Sequence, residues 1–130
     1  MAAAKTTVLC IDDDERTLSI RAQILRQEHY RVLTALTADE GLRLSANEAV
    51  DAIVLDYFLP GTSGAEVATA LRKITLVPIL LLSSAVYMPD DARGLVDGFC
   101  AKIDGPVIFL DSLRDLLDRA PKRHKAANGA

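Results

Sequence analysis

The sequence is expected to fold as a doubly wound three-layer α/β sandwich, with helices covering both faces of a parallel sheet. Short runs rich in Val, Ile and Leu recur along it without polar–apolar alternation, the pattern of strands buried on both faces. Segments with helical spacing lie between these runs. Parallel neighbours require right-handed crossovers, so alternating strands and helices wrap both sides of one sheet.

The strand candidates are residues 8–11, 32–36, 52–55, 77–82 and, more weakly, 99–103. Asp14 and Glu15 suit the cap of a first helix. Thr37 with Glu40, and Ser63 with Glu66, fit the capping box that opens the second and third helices. Along the third, Val67, Leu71 and Ile74 step by four and three. Pro89-Asp90-Asp91 marks the start of a fourth helix, because Pro suits a first turn and acids favour the positive helix end. Leu110, Leu113 and Leu117, joined by Phe109 and Leu116, define a fifth. The expected unit is therefore (βα)5 over residues 1–120. Residues 121–130 carry Lys122, Arg123 and Lys125 without apolar periodicity and read as a flexible basic tail.

One domain suits 130 residues, and a composition 50% hydrophobic and 25% charged excludes wholesale disorder. Fifteen basic against eighteen acidic residues give a net charge of -3, which excludes a broadly basic nucleic-acid footprint. The sequence shows neither a secretory signal nor a membrane-spanning run, so a cytoplasmic location and no membrane contact are expected. Two cysteines are too few for a disulfide framework. His29 and His124 have no partner spacing for a metal or a triad.

Polar residues interrupt the strand pattern at telling places. Asp12, Asp13 and Asp14 follow the first strand, Asp56 ends the third, Ser83 and Ser84 end the fourth, and Lys102 lies near the end of the fifth. Ligands of open α/β sheets bind beyond these carboxyl ends. Clustered carboxylates repel unless a cation intervenes, and a hard ion such as Mg²⁺ suits oxygen donors. A nearby ammonium and hydroxyl are the donors that phosphoryl oxygens require. A carboxylate there could attack phosphorus and form an aspartyl phosphate. No glycine-rich phosphate loop follows the first strand, which argues against a nucleotide or flavin module.

In these features the chain resembles the response-regulator receiver domain of two-component signalling, over roughly residues 6 to 119. The resemblance rests on Val8-Leu9-Cys10-Ile11-Asp12-Asp13-Asp14, on Asp51 through Asp56-Tyr57-Phe58-Leu59-Pro60 to Gly64, on Leu82-Ser83-Ser84-Ala85 and on Phe99-Cys100-Ala101-Lys102. It implies a flavodoxin-like sheet in strand order 2-1-3-4-5, in which Cys10 and Cys100 are not neighbours and remain buried thiols. By the same resemblance Asp56 accepts a phosphoryl group, while Asp12, Asp13, Asp56 and the backbone carbonyl of Phe58 hold Mg²⁺, Asp13 being the more direct ligand of the acidic pair. Lys102 pairs with the phosphoryl group. Both faces being buried, the strand pattern leaves Ser83 and Ser84 open as the switch hydroxyl; the small Ala85 that follows favours Ser84. Phe99 matches the aromatic that moves with that hydroxyl.

The partners implied are a sensor histidine kinase or histidine phosphotransfer protein and a downstream protein target, with no direct nucleic-acid contact. A monomer or weak homodimer is expected, with no enzymatic activity beyond its own phosphorylation and dephosphorylation. Two departures from the family pattern stand out. Ile103, not Pro, follows Lys102, which implies a trans bond or a rearranged loop. The short interval from Ser84 to Lys102 implies a shortened or irregular fourth helix. Apolar Phe58 and Val86, two positions beyond Asp56 and Ser84, imply slow loss of phosphate. The alternatives are a degenerate receiver that binds partners without phosphorylation, and a small haloacid-dehalogenase-like phosphohydrolase with Asp12 as nucleophile and Asp14 as acid.

Overall fold

The computed structural model describes residues 5–120. Its elements are β1 (Thr7–Ile11), α1 (Glu15–Gln27), β2 (Arg31–Ala35), α2 (Ala38–Asn47), β3 (Ala52–Asp56), β4 (Phe58–Leu59), β5 (Thr62–Ser63), α3 (Gly64–Arg72), β6 (Ile79–Ser83), β7 (Gly98–Ala101) and α4 (Gly105–Arg119). Five strands pair in parallel in the order β2-β1-β3-β6-β7, the doubly wound topology the sequence implies. β4 and β5 form a separate antiparallel hairpin, closed by Pro60 and by Gly61 at φ 74. This hairpin had no counterpart among the expected strands.

Strand alternation divides the core into two layers. Val8, Cys10, Val54, Leu80, Leu82 and Cys100 pack with Leu18 and Leu25 of α1 and Phe109, Leu113 and Leu116 of α4. Leu9, Ile11, Ile53, Leu55, Ile79 and Leu81 pack on the opposite side, against Ala68 and Leu71 of α3. β1, β3 and β6 are buried at every residue, which is why they lack polar alternation. β2 lies at an edge and exposes Arg31 and Thr34. Cys10 and Cys100 share the α1/α4 layer as free buried thiols. Burial pushes the Cys10 thiol up to about 12 and raises that of Cys100, so neither is a ready nucleophile.

The helix starts use the expected hydroxyls, with one difference. Thr37 and Ser63 accept the N–H groups of Glu40 and Glu66 at 3.1 and 3.2 Å. The returning carboxylates go elsewhere: Glu40 takes the Leu36 N–H at 3.0 Å, and Glu66 takes the Thr62 hydroxyl at 3.3 Å. Asp14 caps α1 by accepting from Arg16 and Thr17, while Glu15 is the first helical residue instead of a cap. His29, exposed at φ 69, ends α1 in a left-handed turn that returns the Tyr30 N–H to Leu25 O.

The fourth helix is reduced to a 3₁₀ turn, Asp90–Ala92. Pro89 does start helical structure, but the chain is already extended at Arg93, Gly94 follows at φ 85 and Gly98 begins β7. Buried Ala92 anchors the turn to the α3 layer. Arg72 staples the rest of the segment, donating to Leu95 O and Val77 O and pairing with Asp97, whose carboxylate also accepts the Ile79 N–H. The described residues contain no cis peptide bond, so Lys102–Ile103 is trans. The chain turns there through a 3₁₀ segment, Lys102–Asp104, and through Gly105 at φ 84, a conformation that favours glycine. The proposed tail, residues 121–130, lies outside the described residues. Among those described, no helix is long and apolar enough to cross a membrane.

Gly64 shows why the motif after Asp56 needs glycine. A β-carbon there would lie 2.7 Å from Tyr57 Cα and 3.0 Å from a Leu81 methyl. Gly64→Ala is expected to cost about 1–3 kcal/mol, the usual range for overpacking, with the loss read from urea denaturation midpoints.

Candidate functional site

Residue parity carries the site. Asp12 lies two residues past Cys10, Asp56 two past Val54 and Lys102 two past Cys100, and all three of those predecessors face α1 and α4. The register aligns the strand ends, with Asp56 opposite Leu82 and Ser83 opposite Ala101, the residue before Lys102. Carboxylate oxygens of Asp12, Asp13 and Asp56 accordingly lie within 4.8 Å of one another.

Asp12 and Asp56 are buried, and each is held at both oxygens. Asp12 Oδ1 accepts the Asp14 N–H at 3.0 Å, while its Oδ2 lies 3.0 Å from Arg21 Nη1 and 3.7 Å from Lys102 Nζ. Asp56 Oδ1 takes a long hydrogen bond, 3.4 Å, from the Phe58 N–H, and its Oδ2 lies 3.1 Å from Lys102 Nζ. Asp13 is exposed beside them. Burial and the neighbouring Asp12 charge raise the pKa of Asp56 against the opposing pull of Lys102 and the Phe58 N–H. A compact set of hard oxygen donors with excess negative charge fits a small divalent cation such as Mg²⁺.

The structure thus brings together Asp12, Asp13, Asp56 and Lys102 as expected, with Phe58 two residues beyond the central acid. It separates the two serines. Ser83 is the last residue of β6 and fully buried; its Oγ accepts the Ala85 N–H at 3.1 Å. Ser84 lies outside the strand and is exposed. Phe99 is half-buried on the α3 side, the side that strand parity also gives Ser83. Asp14 is occupied as a helix cap and is not among the clustered acids.

Two residues escaped the sequence reading. Arg21 sits in the buried stripe of α1 with Leu18, Ala22 and Leu25, and a charge at that helical spacing was the available signal. Tyr57 donates its hydroxyl to Asp91 at 2.9 and 3.0 Å, tying the residue after Asp56 to the 3₁₀ turn. No local pattern announces a contact across that separation. A cleft of about 230 Å³ adjoins the site, lined by Ile20, Ile24, Pro106 and Phe109 together with Arg21 and Lys102.

This fold and this edge define a receiver domain, and the chain belongs to the response regulator receiver domain family, whose profile matches residues 8–111. It is similar to the transcriptional regulatory protein AfsQ1 of Streptomyces coelicolor, 37% identical over 92 residues that cover 71% of this chain and 41% of that protein. It is also similar to the transcriptional regulatory protein KdpE of Mycobacterium tuberculosis, 33% identical over 117 residues, 88% of this chain and 52% of that one. The chain therefore spans about half the length of these relatives or less. Among solved structures it is similar to a CheY-like receiver domain protein from Methanospirillum hungatei, with TM-score 0.83 and 26% identity over 88% of this chain and 95% of that one. The response regulator TrrA from Thermotoga maritima, solved in complex with Mg²⁺-BeF, matches with TM-score 0.79 and 26% identity over 85% and 98% of the two chains. The chain is thus a phosphoacceptor module of two-component signalling.

The raised pKa of Asp56 has a consequence for stability in metal-free buffer. The native state favours its protonated form, so this group's contribution is full below the unfolded pKa and is lost as pH rises through the folded one. Asp56→Asn is expected to be more stable than the parent in EDTA at pH 7, with the gap closing as the buffer is acidified. Paired urea titrations from pH 7 down to pH 4 check the sign.

Proposed function

We propose that Asp56 is the phosphoryl acceptor, taking the group from a phosphohistidine of a sensor histidine kinase or histidine phosphotransfer protein. The observation that carries this reading is Lys102 Nζ, set 3.1 Å from Asp56 and 3.7 Å from Asp12 above a three-carboxylate cluster. An Asp56 oxygen attacks phosphorus in line, the N–P bond breaks and the imidazole departs. Lys102 neutralises the arriving phosphoryl oxygens, and the Phe58 N–H steadies the carboxylate. Asp12, Asp13, Asp56 and the Phe58 carbonyl would hold Mg²⁺, which when bound supplies the remaining positive charge around the phosphoryl oxygens. The apolar cleft beside Lys102 suits the partner surface that delivers the phosphohistidine.

Asp12 is the poorer nucleophile of the two buried acids, since a backbone N–H and a guanidinium hold its oxygens at 3.0 Å each. With Asp14 committed to capping α1, this favours the receiver reading over a phosphohydrolase with Asp12 and Asp14 in the catalytic roles. We place the switch hydroxyl on Ser83 in preference to Ser84. Ser83 ends β6 beside Ala101 and shares the sheet face of Phe99, and its oxygen accepts a bond while its proton stays available for a phosphoryl oxygen. Movement of that hydroxyl would bias the 84–97 segment and Phe99 between two arrangements, and output would follow as altered affinity for a downstream protein. Phe58 and Val86, exposed and apolar, would hinder an attacking water and slow dephosphorylation.

Intact-mass measurement after incubation with acetyl phosphate tests the acceptor. One added phosphoryl group is expected with Mg²⁺, none with EDTA and none on Asp56→Asn; an adduct that survives Asp56→Asn contradicts the assignment. The switch is tested by amide chemical shifts in residues 84–99 on adding Mg²⁺ with beryllofluoride. Ser83→Ala is expected to abolish the changes and Ser84→Ala to retain them, whereas the reverse returns the switch to Ser84.

A further inference from the structure

We infer that Arg21 is an internal counter-cation that competes with the divalent ion for Asp12 and thereby weakens metal binding at the acidic edge, a step that rests on the reading of Asp12 and Asp13 as the metal-holding pair. Arg21 is 8% exposed and projects from the α1 stripe otherwise made of Leu18, Ala22 and Leu25. Its guanidinium carries charge at any physiological pH, so acidity changes do not release it.

Asp12 offers a metal ion no unengaged oxygen. Oδ1 is committed to the Asp14 N–H at 3.0 Å, and Oδ2 to Arg21 at 3.0 Å with Lys102 at 3.7 Å. An ion using Asp12 must share Oδ1 with the Asp14 N–H or Oδ2 with the guanidinium, and either oxygen belongs to the carboxylate that Arg21 already pairs with. Three carboxylates against Arg21 and Lys102 leave one net negative charge (-3 + 2 = -1), and without Arg21 the edge would carry two (-3 + 1 = -2). At separations of a few ångströms each such charge shifts a divalent ion's affinity substantially even in a well-screened medium. A displaced side chain has somewhere to go, because Arg21 also lines the cleft between α1 and α4. Asp12 therefore stays paired when the ion is absent, and the edge fills only at higher ion concentration.

Isothermal titration of MgCl₂ into the parent, Arg21→Met and Arg21→Lys at fixed ionic strength tests this. Arg21→Met is expected to bind Mg²⁺ about tenfold more tightly, and Arg21→Lys to stay within about threefold of the parent. Equal or weaker binding by Arg21→Met overturns the inference and leaves Arg21 as a structural ion pair, as does a lysine variant that binds as tightly as the methionine one. If neither parent nor Arg21→Met binds Mg²⁺, the metal reading itself falls, and the competition with it. A second readout needs no variant: the Arg21 Nε–H resonance of ¹⁵N-labelled parent is expected to shift as Mg²⁺ saturates, and an unmoved resonance overturns the competition.

Discussion

The crowding of Asp12, Asp13 and Asp56, with oxygens within 4.8 Å of one another at the carboxyl edge of a buried sheet, constrains everything around it. Like charges that close are tolerated only where hydrogen bonds and cations answer them. The backbone answers first, through the N–H groups of Asp14 and Phe58. Lys102 and Arg21 answer next, each from a different element of the same face. What remains uncompensated is a standing demand for positive charge, which a divalent ion would meet and which an arriving anionic phosphoryl group would increase.

The rigidity that holds this arrangement comes from apolar packing. β1, β3 and β6 are buried throughout, and their parallel ladders set Asp12, Asp56 and Ser83 at adjacent strand ends. A slip of one residue would send each acid to the opposite layer. Gly64 allows α3 to start in contact with the Tyr57 backbone, and this keeps the turn after Asp56 tight. The side facing β7 is looser by comparison. A 3₁₀ turn stands where a shortened or irregular fourth helix was expected, and beside its single buried anchor, Ala92, it is held by the Arg72–Asp97 pair and by the exposed Tyr57–Asp91 bond. Such polar tethers are weaker than core packing, so this segment is the natural place for two arrangements to coexist.

The layered fold and the acidic edge were legible because they rest on periodicity and on polar residues that break apolar runs. Asp56 ends a run of Ala52-Ile53-Val54-Leu55, and nothing in sheet packing calls for an acid there. The short interval from Ser84 to Lys102 pointed to a shortened or irregular fourth helix, though not to the turn that replaces it. The choice between Ser83 and Ser84 was not legible, because one residue at a strand end decides between burial and exposure. Arg21 stood in plain view on a helical stripe, but its partner is set by the angle at which α1 crosses the sheet. The β4–β5 hairpin depends on a two-residue pairing too short to leave a periodic trace.

A crystal structure grown with Mg²⁺ and beryllofluoride tests the central claim most directly. The expected result is beryllium bonded to an Asp56 oxygen, with Lys102 on a fluorine and the metal ion between Asp12 and Asp13. Beryllofluoride on Asp12, or a fully soaked edge that holds neither group, would contradict the assignment of Asp56 as the acceptor.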